Sequence, residues 1–141
     1  MRIMALDAGT KRIGAAISDP SQIIAAAIGF VEVNEDTDKA LLKLIEENMP
    51  GKIVVGNPLK MDGSKSEKSA FVEELVGRLK TLRPEMEIVM WDERLTTVQA
   101  QRALIMGGMR REKRKETVDK VAAVLILQNY LDYLKHRGGN A

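Results

Sequence analysis

The chain opens on an apolar run, Ile3 to Leu6, that ends in a carboxylate, Asp7, and turns two residues later at Gly9. The run reads as a buried strand. A carboxylate at its end is costly unless it is hydrogen-bonded, paired or bound to a cation. Gly9 permits a tight turn and close approach of another group to the backbone. Lys11 and Arg12 put positive charge beside the acid, and Ile13 to Ile17 resume an apolar strand. The unit reads as a hairpin with Asp7 at its open end, or, more blandly, as a turn in which Asp7 caps backbone amides.

The remaining chain supplies partners for that hairpin. Asp19 to Gln22 is a turn by composition, and Ile23 to Val33 reads as a third strand, so the first three strands form an antiparallel meander. Leu41, Leu42, Leu44, Ile45 and Met49 mark an amphipathic helix that Pro50-Gly51 closes. Lys52 to Gly56 is a short strand ended by Asn57-Pro58. After a loop centred on Asp62-Gly63, Ser64 and Glu67 match a capping box, and Phe71, Leu75, Leu79 and Leu82 stripe a second helix. Glu87 to Trp91 is the fifth strand and runs into Asp92-Glu93-Arg94. A helix is expected from Thr96 or Thr97 to about Met106, and another from Thr117, buried along Val121 to Leu127.

This order predicts one α/β domain over residues 1–141: a five-stranded mixed sheet, strands one to three antiparallel and strands four and five parallel, with helices on both faces. At 141 residues the chain can bury a real core. It has no cysteine, which excludes disulfides and cysteine-ligated zinc and fits a reducing cytoplasm. No signal peptide and no membrane span are expected. A net charge of +2 does not by itself mark a nucleic-acid binder, so the distribution of charge must carry that argument.

In such sheets ligands sit beyond the carboxyl ends of the parallel strands. Asp7 and Glu93 should share that edge. Asp119 has two readings. It is a charge in the first turn of a helix, which stabilises the helix dipole, or it is held near the strand ends by the small-residue face of Ala122, Ala123 and Ile126. Glu93 could equally be a surface acid paired with Arg94. Three carboxylates at one edge would suit magnesium, which takes oxygen ligands and is completed by substrate phosphates. Two ions roughly 3.5–4 Å apart are the usual arrangement for phosphodiester cleavage. Lys11, Arg12, Arg94, Arg110, Arg111, Arg114 and Lys115 are the candidate phosphate-binding residues. The alternative for the basic run 110–115 is a solvated loop. The one histidine, His136, sits near a helix C-terminus, so no triad or zinc cluster is expected, and Trp91 reads as core.

Several stretches together resemble one family. They are Leu6 to Gly14 with Ser18-Asp19, Val54 to Leu59 with Met61 to Ser64, Asp92 to Thr97, Lys113 to Lys115, and Val118 to Lys120 with Ala122-Ala123 and Leu127. Each is weak alone; in this order, over nearly the whole chain, they resemble the YqgF (RuvX) family of Holliday junction resolvase-like nucleases, which have an RNase H-like fold. Asn57 stands where that family usually has an apolar residue, and Ser66 where a second glycine is common.

The resemblance implies Asp7, Glu93 and Asp119 as the catalytic, metal-binding triad, with Mg2+ or Mn2+ as the ion. It implies a metal-dependent endonuclease of the bacterial cytoplasm. The substrate would be structured nucleic acid: the 5′ end of pre-16S rRNA, within precursor ribosomal particles, or branched DNA such as a Holliday junction. The protein would act as a monomer or as a homodimer, whose symmetry would suit a four-way junction. Two other functions compete. One is a non-catalytic RNA- or ribosome-binding module on the same fold. The other is an ATP-binding domain of the actin and sugar-kinase type, suggested by Asp7-Ala8-Gly9-Thr10 and disfavoured because that class pairs two such domains.

Overall fold

The computed structural model describes residues 1–60, 62–93 and 111–138, and side-chain surroundings in the last helix for residues 122–136. Five strands form one sheet: β1 (Ile3–Ala8), β2 (Arg12–Ser18), β3 (Ala25–Glu32), β4 (Lys52–Asn57) and β5 (Glu87–Asp92). Three helices flank it: α1 (Thr37–Asn48), α2 (Glu67–Leu82) and α3 (Arg111–Gly138). The strand order is β3-β2-β1-β4-β5. β1 pairs antiparallel with β2, and β2 with β3. β1 and β4 are parallel, as are β4 and β5. The expected mixed sheet is therefore the observed one.

Side chains alternate across the sheet and divide the core in two. Met4, Leu6, Ile13, Ile53 and Val55 face α1 and α2, where they meet Leu41, Ile45, Val72 and Leu79. Ile3, Ala5, Ala16, Val54 and Trp91 face α3, where they meet Ala123, Ile126, Leu127, Tyr130 and Leu131. Each large side chain fully buried this way contributes about 1.5–3 kcal/mol. Trp91 is core as expected, edge-to-face with Tyr130 at 5.3 Å between ring centroids.

α3 runs antiparallel to β4. Ile126 lies over Gly56, near the end of that strand, while the Lys52 ammonium at its start donates to the Tyr130 hydroxyl at 3.0 Å. Further along, Gln128 clasps the entry to β3: its Oε1 accepts from the Ala25 amide at 3.1 Å and its Nε2 donates to the Ile23 carbonyl at 3.0 Å. The residues of α3 before Ile126 therefore extend toward the carboxyl ends of β1, β4 and β5. Among the described residues no helix is long and apolar enough to cross a membrane.

Four expectations need correction. β3 begins at Ala25, not Ile23, because the Asp19 carboxylate accepts from the Ile23 and Ile24 amides and holds them in the turn. The cap of α2 is Ser66 with Ser69, not Ser64 with Glu67; Ser64 is held instead by the Asp62 carboxylate, at 2.6 Å from its hydroxyl. Asp7 stands at the turn end of its hairpin, not the open end, since its partner is Gly14 and the turn closes through Gly9 N–H to the Arg12 carbonyl at 2.8 Å. The last helix begins at Arg111 rather than Thr117. Lys113 to Glu116 are good helix formers, and with no breaker before Thr117 the helix propagates through them. The helix expected between residues 96 and 106 lies outside the described residues.

Candidate active site

The site forms where β1, β4 and β5 end together. Ile3 and Ala5 project toward α3, so two residues further on Asp7 projects the same way. Leu6 pairs with Val55, which places Asp7 beside Gly56. Gly56 in turn pairs with Trp91, on the same face, and Glu93 follows two residues after Trp91. Three parallel strands thus deliver two carboxylates to one side of one edge, with a glycine between them.

Gly56 allows that convergence. A Cβ there would stand 2.6 Å from the Cδ1 of Ile126 and 3.1 Å from the Cγ and Cδ of Glu93. The Glu93 side chain folds back over bare backbone and packs beside the helix.

The electrostatics reflect this crowding. Burial first, and the charge on Asp7 second, push the Glu93 carboxyl up to about 7; Lys68 opposes them and Asp92 adds a smaller push upward. Lys68 lies on the first turn of α2, whose N-cap Ser66 donates its hydroxyl to the Pro58 carbonyl just beyond β4. The Oδ1 of Asn57, the last residue of β4, is buried without a hydrogen-bond partner among the described residues.

The other candidates distribute as follows. Lys11 is exposed and Arg12 half-buried, both at the turn beside Asp7. The Arg12 guanidinium lies 5.0 Å from the centroid of the Phe30 ring. Asp119 occupies α3 seven residues before Ile126, which places its backbone about 10 Å further toward the acid edge. Arg111, Arg114 and Lys115 occupy the first turns of the same helix. The side chains of these four lie outside the described residues, and Arg94 and Arg110 lie outside them altogether. Among the described residues no three carboxylates converge as a metal cluster. The exposed His136 stands near the far end of α3.

Chemically, the edge offers hard oxygen donors whose mutual repulsion a cation would relieve, which is the donor chemistry of a divalent ion such as magnesium. Gly56 and Lys68 are residues of this edge that the sequence reading does not single out as part of a site. A glycine closing an apolar strand between two acid-ended strands is the signal that finds the first. Nothing in the sequence marks the second, whose place depends on how α2 is capped.

Comparison with known proteins gives consistent relationships. A family model described as RuvX: Holliday junction resolvase matches residues 1–133. A protein of Thermoanaerobacter pseudethanolicus, named "Putative pre-16S rRNA nuclease", is 46% identical over 97% of this chain and 100% of its own length. A Staphylococcus haemolyticus protein of the same name is 40% identical over 95% of this chain and 97% of its own. Among solved structures, Thermus thermophilus RuvC in complex with a Holliday junction substrate superposes with a TM-score of 0.61 at 11% identity, covering 100% of this chain and 98% of that one. The fowlpox virus Holliday junction resolvase gives 0.54 at 13% identity, covering 97% and 99%. At such identities the structural likeness carries the fold alone, which is the RNase H-like fold of these resolvases.

Proposed function

The chain belongs to the RuvX family, and from that membership we propose that it is a metal-dependent endonuclease hydrolysing phosphodiester bonds in structured nucleic acid. The observation that carries the reading is the acid pair: Asp7 and Glu93 meet on one side of one strand edge across bare Gly56, where burial, and then the charge on Asp7, push the Glu93 carboxyl up to about 7. A carboxylate pair so arranged is unfavourable without a cation and favourable with one.

Asp7, Glu93 and Asp119 hold the divalent ion, Mg2+ or Mn2+. When bound, the metal supplies positive charge against the phosphate and acidifies water at neutral pH. The chain's own residues do the rest. Gly56 keeps the floor between the acids clear. Lys11, Arg12, Arg94, Arg110, Arg111, Arg114 and Lys115 grip the flanking phosphates. Lys115 stands one helical turn before Asp119, so phosphate grip and metal ligand share one rigid element.

The relatives' names favour pre-16S rRNA over branched DNA; in our reading the cut falls at the 5′ end of that RNA, within precursor ribosomal particles of the cytoplasm. Residues 1–141 act as one nuclease domain, as a monomer or a homodimer. The test is a magnesium-dependent cleavage assay with a precursor rRNA fragment and a four-way DNA junction side by side, with Asp7→Asn as control. Cleavage of the RNA that is lost in the variant supports the reading. Cleavage of neither substrate, or equal cleavage by the variant, overturns it.

A further inference from the structure

Asp7, Gly14 and Phe30 stand in one row across the sheet. Asp7 pairs with Gly14 on β2, and Gly14 pairs with Phe30 on β3. Asp7 and Phe30 project toward the α3 side across bare Gly14, so Phe30 lies two strand spacings, about 10 Å, from the acid. Its neighbours in sequence behave differently: Val31 is buried and Ile28 packs against the α1–α2 core, whereas Phe30 joins neither core among the described residues and is 36% exposed.

The sheet is built locally to present this ring. Ala15 pairs with Gly29, but Ala16 pairs with Ala27, so Ile28 is an extra residue in a bulge beside Phe30. Gly29 has φ 127°, and a Cβ there would meet nothing within 4 Å. The glycine therefore serves the backbone bend and not a close contact. Bulges of this kind twist a strand and re-aim the next side chain. The Arg12 guanidinium rests 5.0 Å from the ring centroid, with Glu32 as its register partner. A half-exposed aromatic with a cation against it, at the acid edge of the sheet, has the composition of a base-stacking platform.

We propose that Phe30, braced by Arg12, stacks on an unpaired base adjacent to the phosphate positioned at Asp7 and Glu93, so that the enzyme selects nucleic acid that is unpaired beside the cleavage point. The inference rests on the nucleic-acid reading above and goes further in naming what the site recognises. Stacking tolerates any base, so the selection is for unpaired over paired strands and not for sequence.

The test is binding by fluorescence anisotropy in EDTA, where cleavage plays no part. Two probes are used: a short RNA duplex, and the same duplex with an unpaired bulge carrying a fluorescent purine analogue. The wild-type protein is expected to prefer the bulged RNA and to quench the analogue. Phe30→Leu should weaken binding to the bulged RNA by roughly 5- to 100-fold, leave the duplex unchanged and abolish the quench. Phe30→Trp should retain both affinity and quench. Equal melting temperatures of the variants and the wild type establish that the fold is intact. Wild-type affinity and quenching in Phe30→Leu, or an equal loss on both probes, would overturn the inference alone. Failure of the wild-type protein to bind either RNA would overturn it together with the reading on which it rests.

Discussion

Glu93 lies directly against Gly56, its Cγ and Cδ 3.1 Å from the point where a Cβ would stand. No other residue type at this position leaves both Glu93 and Ile126 where they are. The spacing of the acid pair is therefore set by an absent side chain as much as by the side chains present.

Gly56→Ala is expected to lower stability by about 1–3 kcal/mol, the range for an overpacked contact. Cleavage should fall more than stability suggests, because Glu93 must shift. Adding Ile126→Val removes the Cδ1 that stands 2.6 Å from the new Cβ and should recover part of the stability. Denaturant unfolding of the two single variants and the double variant measures this coupling.

The raised Glu93 carboxyl sets a pH dependence of stability. Unfolded, it loses its proton near 4.5; folded, near 7. Between those values the folded state holds the extra proton, so metal-free stability falls as pH rises through this window. Glu93→Gln should flatten that fall. The difference from wild type should approach on the order of 2 kcal/mol by pH 7.5, after discounting for partial exposure. Thermal melts in EDTA across the window decide it.

Magnesium or manganese should raise the melting temperature of the wild-type protein, and by more at pH 7.5 than at pH 5, where protonated Glu93 competes with the ion. At about a hundred times the dissociation constant the gain is about 2.7 kcal/mol. Asp7→Asn should melt higher than wild type without metal, since one of two repelling charges is gone, and should gain little when metal is added. Differential scanning fluorimetry with and without the ion reads both effects.

The basic turns of α3 should bind phosphate and not bases. Arg114→Ala with Lys115→Ala is expected to weaken RNA of every sequence alike and to reduce the salt slope of binding by about 2. A sequence-dependent loss or an unchanged slope would contradict it.

The sheet was legible because its signals are local and redundant. Ile3–Leu6, Ile53–Val55 and Ile88–Trp91 are short apolar runs with sharp ends, and their order admits few topologies. The shared edge of Asp7 and Glu93 was legible for the same reason, since neighbouring parallel strands end together. What escaped depends on tertiary accommodation. Ser64 and Glu67 have the spacing of a capping box, but Asp62 claims the Ser64 hydroxyl and the helix starts later. Thr117 looks like a cap, yet nothing before it stops the helix. Phe30 reads as one more strand residue, because Ile28, the extra residue of the bulge, looks like any apolar strand residue and Gly29 alone hints at the bend.

The clasp of Gln128 on β3 bears on where the start of α3 lies. Gln128 and Asp119 sit on one rod, nine residues and so about 13 Å apart. Were the helix to tilt, its fulcrum would be the Gln128 amide grip on Ile23 and Ala25, at the opposite end of the sheet from the acids. A tilt of about 5° about that fulcrum carries position 119 through roughly 1 Å, a displacement on the scale that costs an enzyme about a hundredfold in rate. In the proposed mechanism the placement of Asp119 therefore depends in part on a hydrogen-bonded grip remote from the acid edge.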